Sequence, residues 1–206
     1  VYLKDTQKNR LAHLKKISRY NLTEWMLMDV ATQRNLELTA SLRDGGLEGT
    51  LLSVMDRTYT PMGARFLRRA ITRPLVSVST IHLRQETVKE LVDRHEVRDQ
   101  LAVLLKSVGD AERLAARVGS ERANARDLVG LREMLRLIPF LKVVLADTDT
   151  ELLKILRDQL NALEELAAEI ERAIVEAPPL SLTEGGLIKS GFHTALDELR
   201  AISSDG

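Results

Sequence analysis

Four arginines follow one another at spacings that put them on one side of a helix and just past its end: Arg65, Arg68, Arg69 and Arg73. Guanidinium groups arranged in this way can contact the phosphates of a nucleic acid. Only Phe66 lies among them, which gives little support to stacking on bases. We favour the alternative interpretation, a solvated helix face that pairs with the acidic carboxyl-terminal part of the chain.

A glycine pair followed by a lysine and a serine superficially resembles a phosphate loop: Gly185-Gly186-Leu187-Ile188-Lys189-Ser190. A true phosphate loop has four residues between its glycines and ends in Gly-Lys-Ser/Thr, because its backbone N–H groups must surround the phosphates. The spacing here does not meet that requirement. We predict a flexible turn instead.

Metal binding and nucleophilic catalysis also lack a motif. The chain has no cysteine, which excludes disulfides and thiolate metal sites. His95-Glu96 begins like a zinc-protease helix, but Asp99 stands where the second histidine would be needed. No Gly-x-Ser-x-Gly elbow is present to hold a nucleophile. The sequence therefore predicts no catalytic, cofactor-binding or metal-binding residue in this chain.

The composition is that of a folded chain without a basic excess. Its 206 residues include 30 Lys+Arg and 30 Asp+Glu, and 44% are hydrophobic. Zero net charge argues against a free-standing binder of nucleic acid or membranes. The amino end is too polar for a signal peptide, so we expect a cytoplasmic protein. The charge is segregated, with a net +5 over residues 1–20, +3 over 21–146 and −8 over 147–206.

Helices are the elements expected to position these side chains. Aromatic residues make up only 3% of the chain, and its leucine, alanine, valine and isoleucine suit helices packed on helices. We expect an all-α, multi-helical domain with an irregular, extended segment over residues 17–28. A last helix over 193–205 is still amphipathic where the sequence stops. Residues that favour helix N-termini predict several helix starts: Asp29, Thr50, Thr60-Pro61 and Ser77.

The most regular apolar pattern runs over residues 153–174, with steps of three and four between apolar side chains. Such a pattern is typical of a coiled-coil seam that a helical partner covers. It also fits two packed core helices separated by a break, with Asn161 and Glu164 forming a capping box. We favour the break.

Two stretches of the sequence resemble a known family: residues 29–38 (DVATQRNLEL) and residues 49–63 (GTLLSVMDRTYTPMG). They are similar to the core, or lever, domain of the MutS family of DNA mismatch-recognition ATPases. Shorter stretches extend the resemblance in the same order over almost the whole chain: residues 6–8, 11–14, 108–114, 122–128, 177–180, 184–189 and 196–200. The chain departs from the family at Ala70, where a bulky aromatic residue is common, and this difference affects local packing.

The resemblance implies that the chain has three parts and that the parent protein has further domains. Residues 1–20 would be a linker helix that leads from the connector domain, residues 21–190 the core domain, and residues 191–206 the start of the helix that leads to an absent clamp domain. The chain would be a non-enzymatic fragment of a mismatch-recognition ATPase. Mismatched duplex DNA, and ATP with Mg²⁺, would bind absent domains of the parent. That parent would form a homodimer and act with a MutL-type protein, with no membrane partner.

The family's core domain carries nucleotide-dependent movement between the ATPase and the clamp. Packed helices can do this as rigid units when glycine-bearing loops take up the rotation. Because glycine adopts backbone conformations that other residues avoid, we predict hinges at Gly185, Gly186 and Gly191. The residues alone leave two other functions open. One is an autonomous nucleic-acid-binding module that uses the four arginines, and the other is a protein-interaction module that uses the pattern over residues 153–174.

Overall fold

A computed structural model describes residues 24–204 of the chain. Within this range the fold is all-α, as predicted, and its two antiparallel bridges are isolated pairs of residues. The helices are α1 (Val30–Asn35), α2 (Leu51–Met55), α3 (Pro61–Thr72), α4 (Val78–Asp93), α5 (His95–Lys106), α6 (Ala111–Gly119), α7 (Ala125–Ala146), α8 (Glu151–Gln159), α9 (Glu164–Ala173) and α10 (Thr194–Ser204), with a 3₁₀ turn at Leu182–Glu184. None of these described helices is long and apolar enough to cross a membrane. The predicted linker helix over residues 1–20 lies outside the described residues.

Four helices begin where the sequence predicts, because the residue before each one caps it. The carboxylate of Asp29 and the hydroxyls of Thr50, Thr60 and Ser77 each accept a backbone N–H three residues later, at 2.6 to 3.4 Å. Asn124 forms a full capping box with the aspartate three residues later. Such caps satisfy N–H groups that have no partner within the helix.

The apolar pattern over residues 153–174 is interrupted, as predicted, between the end of α8 and the start of α9. The predicted capping box, however, is wrong. Asn161 accepts the N–H of Leu163 at 2.9 Å, and Leu163 itself precedes α9 without any side-chain cap. The asparagine side chain forms a local turn with a residue two positions later, which competes with capping of the helix.

A helical body forms around α7, which packs against α5, α6, α8 and α9. One buried apolar cluster joins Ala125 of α7 to Ile170 and Ile174 at the end of α9. Leu153 and Ala167 are buried as well. Four residues of the regular apolar pattern are therefore buried within the chain, whereas Leu156 and Leu163 are 45% and 47% exposed.

Residues 24–77 form a smaller unit, called here the amino-terminal unit. Its buried core consists of Leu38, Leu52 and Ile71. The two ends of this unit meet at a connection, called here the neck, where Trp25 and Leu75 form an antiparallel bridge. Beside it, the N–H of Met26 donates to the carbonyl of Pro74 at 2.7 Å. The predicted extended segment thus coincides, from residue 24 onwards, with one side of the neck.

Candidate functional site

Arg65, the first of the four arginines, binds two carboxylates of the helical body. Its Nη1 and Nη2 donate to the two oxygens of Asp110 at 2.9 and 2.7 Å. Its Nε and Nη2 donate to Oε2 of Glu112 at 2.9 and 2.6 Å. Paired hydrogen bonds between guanidinium and carboxylate groups are stronger and more directional than a single contact. These three residues, the Arg65 cluster, join the amino-terminal unit to the start of α6.

The partners of Arg65 differ from the predicted ones. The expectation that the acidic part of the chain over residues 147–206 neutralises this arginine is wrong, because its carboxylates come from residues 110 and 112. Asp110 also caps α6 by accepting the N–H of Arg113 at 3.1 Å. A phosphate contact by Arg65 would require the guanidinium to leave both carboxylates.

The pKa of Asp110 is lowered by its contacts in the Arg65 cluster. The hydrogen bonds from Arg65 lower the pKa of Asp110 from its ordinary value of 3.8 to about 2, against the opposing effect of burial. The same hydrogen bonds raise the pKa of Arg65. Both groups therefore stay charged over the whole neutral range.

The Arg65 cluster should lose its stabilising effect in acid. Because the pKa of Asp110 is lower in the folded chain than in the unfolded chain, its contribution is complete above about pH 4. That contribution is lost as the pH falls towards the folded-state value of about 2. Asn also caps helices well, so Asp110→Asn removes the charge and keeps the cap. We expect the variant to be less stable than the parent chain at neutral pH and to lose less of its stability in acid.

Trp25 provides the measurement, since it is the chain's one tryptophan and lies in the neck of the amino-terminal unit. Thermal unfolding followed by its fluorescence, at several pH values between neutral and about 2, gives both stability profiles. Parallel profiles for Asp110→Asn and the parent chain would contradict the prediction.

The other three arginines lie outside the Arg65 cluster. Arg68, Arg69 and Arg73 are exposed, and neither Arg68 nor Arg69 has an ion-pair partner among residues 24–204. Phe66 contacts the guanidinium of Arg84, which lies 5.4 Å from the centre of its ring in a cation–π arrangement. The four arginines therefore have different surroundings, since only Arg65 binds the carboxylates of the cluster. Phosphate contact stays a prediction for Arg68, Arg69 and Arg73.

Gly185 and Gly186 lie in a closed loop over residues 175–187, just before the end of the loop at Ile188. Ile174 and Ile188 form an antiparallel bridge at its base, flanked by backbone hydrogen bonds of 2.8 and 3.0 Å. Both glycines have positive φ, 70° and 68°, a conformation that other residues adopt at a cost. The predicted turn is present, and its two ends are held together.

Gly191 lies between this bridge and α10, with a φ of 84°. Its N–H donates to Oδ2 of Asp197 at 2.7 Å. Nη2 of Arg200 donates to the carbonyl of Ile188 at 3.0 Å. Two polar side chains of α10 thus bind the segment that precedes the helix.

Arg132 of α7 is a buried cation that the sequence analysis did not single out. It is 5% exposed and forms ion pairs with Glu133 and with Glu171 of α9. Nζ of Lys189, beside the Ile188 bridge, donates to the carbonyl of Glu171 at 2.6 Å. Burial raises the pKa of Glu171, but Lys189 and the arginines outweigh it and hold that pKa below its ordinary value. Helices α7 and α9 and the bridge are therefore joined by charged contacts.

Glu90 of α4 caps a helix that lies far along the chain. Its carboxylate accepts the N–H groups of Asp149 and Thr150 at 2.6 and 2.9 Å, at the start of α8. Arg94 binds the same carboxylate and donates to the carbonyl of Asp147. Burial raises the pKa of Glu90, but the hydrogen bonds from Thr150, Asp149 and Arg94 outweigh it, so that pKa lies below its ordinary value.

Metal-binding geometry is not found in the described part of the chain. Residues 24–204 contain no group of three or more His, Asp or Glu side chains that could hold a metal ion. An open cleft of about 840 Å³ lies at the break between α8 and α9 and is lined by Pro139, Lys142 and residues 158–166. The charged contacts described above hold helices together instead of pointing into this cleft.

Known proteins match the chain along its whole length. A family model described as MutS domain III matches residues 31–204. The DNA mismatch repair protein MutS of Symbiobacterium thermophilum is 51% identical over 206 residues, which cover 100% of this chain and 24% of that relative. The proteins of the same name from Myxococcus xanthus and Salinibacter ruber are 47% and 43% identical over 205 residues, or 23% of each relative. The chain therefore spans about a quarter of the length of the curated relatives it matches.

Proposed function

Because the chain belongs to the MutS family of DNA mismatch repair proteins, within which it matches domain III, we propose that it is a non-catalytic core that couples an ATPase domain to a DNA clamp. The match to domain III over residues 31–204 carries this proposal. The helical body supports it physically, since buried and charged contacts join α7, α9 and the bridge. Helices joined in this way move as one unit and can pass a rotation from one end to the other.

The chemistry of the full-length protein lies outside residues 1–206 in this proposal. ATP and Mg²⁺ bind its ATPase domain, and mismatched DNA binds domains that this chain does not contain. The full-length protein acts in the cytoplasm as a homodimer with a MutL-type partner. Two observations support the assignment of this chemistry to other domains: the chain matches a single domain, and it covers only 24% of the Symbiobacterium relative.

A chimera tests the coupling role. Residues 1–206 replace the matching stretch of the Symbiobacterium relative, and ATP-dependent release from a mismatched duplex is measured. A flexible six-residue Gly-Ser insertion between Ser190 and Gly191 separates α10 from the body. Coupling through the chain predicts that this insertion abolishes ATP-dependent release while DNA binding without nucleotide persists.

The matched control carries the same insertion between Gly185 and Gly186, within the closed loop over residues 175–187. This insertion is expected to leave release unchanged, because the Ile174–Ile188 bridge bypasses the loop. Equal release by the two insertion chimeras and the parent chimera would exclude coupling through α10.

A second candidate function is direct contact with DNA, which the exposed Arg68 and Arg69 favour. A core without its own DNA site should bind a labelled duplex weakly, with little dependence on salt. Two phosphate contacts would instead give a slope of about −2 in a plot of log K against log salt. Fluorescence anisotropy of the 206-residue chain distinguishes the two outcomes. The double variant Arg68→Gln/Arg69→Gln is the control, since it should remove any such slope.

A further inference from the structure

The three glycines singled out as hinges occupy two mechanically different positions. Gly185 and Gly186 belong to a loop whose ends are joined at the Ile174–Ile188 bridge. A rotation about either glycine moves the tip of the loop and leaves the segments on both sides of the bridge where they were. Gly191 follows the bridge, so a rotation there changes the direction of α10 relative to the body.

The apolar side chains of α10 are mostly exposed, although Leu196 is half-buried. Leu199 and Ile202 of this helix are 64% and 72% exposed. Within residues 24–204, two polar side-chain contacts join one turn of the helix to the segment before it, with the carboxylate of Asp197 accepting the N–H of Gly191 and the guanidinium of Arg200 donating to the carbonyl of Ile188. Arg200 also lies 3.4 Å from Asp197, so the two side chains form one connected group.

The segment before α10 is itself attached to the body. Lys189 binds the carbonyl and the carboxylate of Glu171 at 2.6 and 3.3 Å, and Glu171 binds the buried Arg132 of α7. A continuous set of charged and hydrogen-bonded contacts therefore leads from α7 through α9 and the bridge to α10. Its last step is the contact of Arg200 with Ile188.

We propose that residues 190–193 are the joint about which α10 turns, and that Asp197 and Arg200 are the positioning residues that hold this joint in one direction. Opening their contacts with Gly191 and Ile188 frees α10 without disturbing the body, because the Glu171–Lys189 contact lies on the other side of the joint. The proposal concerns the geometry of this chain. Only its consequence for DNA release rests on the proposed coupling function.

Distance measurements between α9 and α10 test the joint. The chain has no cysteine, so Glu169→Cys and Glu198→Cys, both at exposed positions, accept spin labels specifically. Double electron–electron resonance then gives the distribution of the distance between the two helices. Arg200→Met should broaden that distribution roughly twofold, since it removes the donor to Ile188 and keeps the helix. Gly191→Ala should shift its mean, because alanine disfavours a φ of 84°.

Each variant has a matched control. Gly185→Ala introduces the same kind of backbone strain at a φ of 70°, also with open space around the new Cβ, and should leave the distribution unchanged. Arg172→Met removes an exposed arginine of α9 and should also leave it unchanged. Far-UV circular dichroism verifies that every variant keeps its helices. An unchanged distribution in Arg200→Met, or a shift in Gly185→Ala equal to that in Gly191→Ala, would overturn the proposal.

The chimera separates the joint from the coupling function. If Arg200→Met broadens the distance distribution and also slows ATP-dependent release, the joint and the coupling are both supported. If the distribution broadens and release is unchanged, the joint stands and coupling through α10 fails. If the distribution stays narrow, the joint fails whatever happens to release.

Discussion

Arg132→Ala is expected to lower the free energy of unfolding of the chain by about 3 kcal/mol, as is usual when one partner of a buried ion pair is removed. The side chain of Arg132 is 6% exposed and binds Glu133 and Glu171, so its removal opens space between α7 and α9 and takes a cation from Glu171. Urea unfolding followed by circular dichroism at 222 nm provides the measurement.

Arg136→Ala is the matched control for Arg132→Ala. Arg136 binds the same two glutamates, at 3.3 and 3.1 Å, but its side chain is 48% exposed. An exposed ion pair contributes less than about 1 kcal/mol, and equal losses from the two variants would contradict the interpretation. Arg132→Met keeps most of the buried volume, so the difference between the Met and Ala variants separates lost packing from lost charge.

Glu90→Ala is expected to cost about 2 kcal/mol, between the value of a helix cap and that of a buried hydrogen bond to a charged group. The side chain of Glu90 is 9% exposed and accepts the first N–H groups of α8. Thr150, which precedes α8, makes no side-chain cap of its own. The loss should therefore appear as fraying at the start of α8, where amide hydrogen exchange of residues 149–153 would become faster.

Glu86→Ala is the control for Glu90→Ala. Glu86 lies one turn earlier on α4 and is exposed, so its removal should change stability by no more than about 0.5 kcal/mol. Faster exchange at the start of α8 in both variants would show that Glu90 acts through α4 itself and not through the hydrogen bonds to Asp149 and Thr150.

Local interactions explain which features the sequence could predict. Asp29, Thr50, Thr60 and Ser77 each cap a helix through a hydrogen bond from the backbone N–H three positions later. The residue types and their spacing are visible in the sequence, so the helix starts follow from it. The predicted capping box at Asn161 is wrong because the same side chain accepts the N–H of Leu163 in a local turn.

Contacts between distant residues explain what the sequence could not predict. Arg65 and Asp110 are 45 residues apart, and Glu90 and Asp149 are 59 apart. The charge counts pointed to residues 147–206 as the source of the acidic partner of Arg65, but the partners are Asp110 and Glu112. A count of charges does not show which carboxylate the fold brings close to the guanidinium. The burial of Arg132 could have been predicted from the sequence. This residue lies four positions after Leu128 and three before Leu135, on the apolar side of α7. A charged residue within such a stripe indicates a buried ion pair.

The bridge between Trp25 and Leu75 brings the two ends of the amino-terminal unit together. The chain enters and leaves the unit at adjacent points, where Val76 donates its N–H to the carbonyl of Glu24. Modules with adjacent ends can swing about their connection unless a second contact restrains them. The Arg65 cluster provides such a restraint at a distance from the neck. A second point of attachment removes a rotational freedom that the neck alone would leave, and the cation–π contacts of Phe66 with Arg84 and of Tyr59 with Lys106 add to that restraint. The amino-terminal unit is therefore held against the rest of the described chain at more than one place.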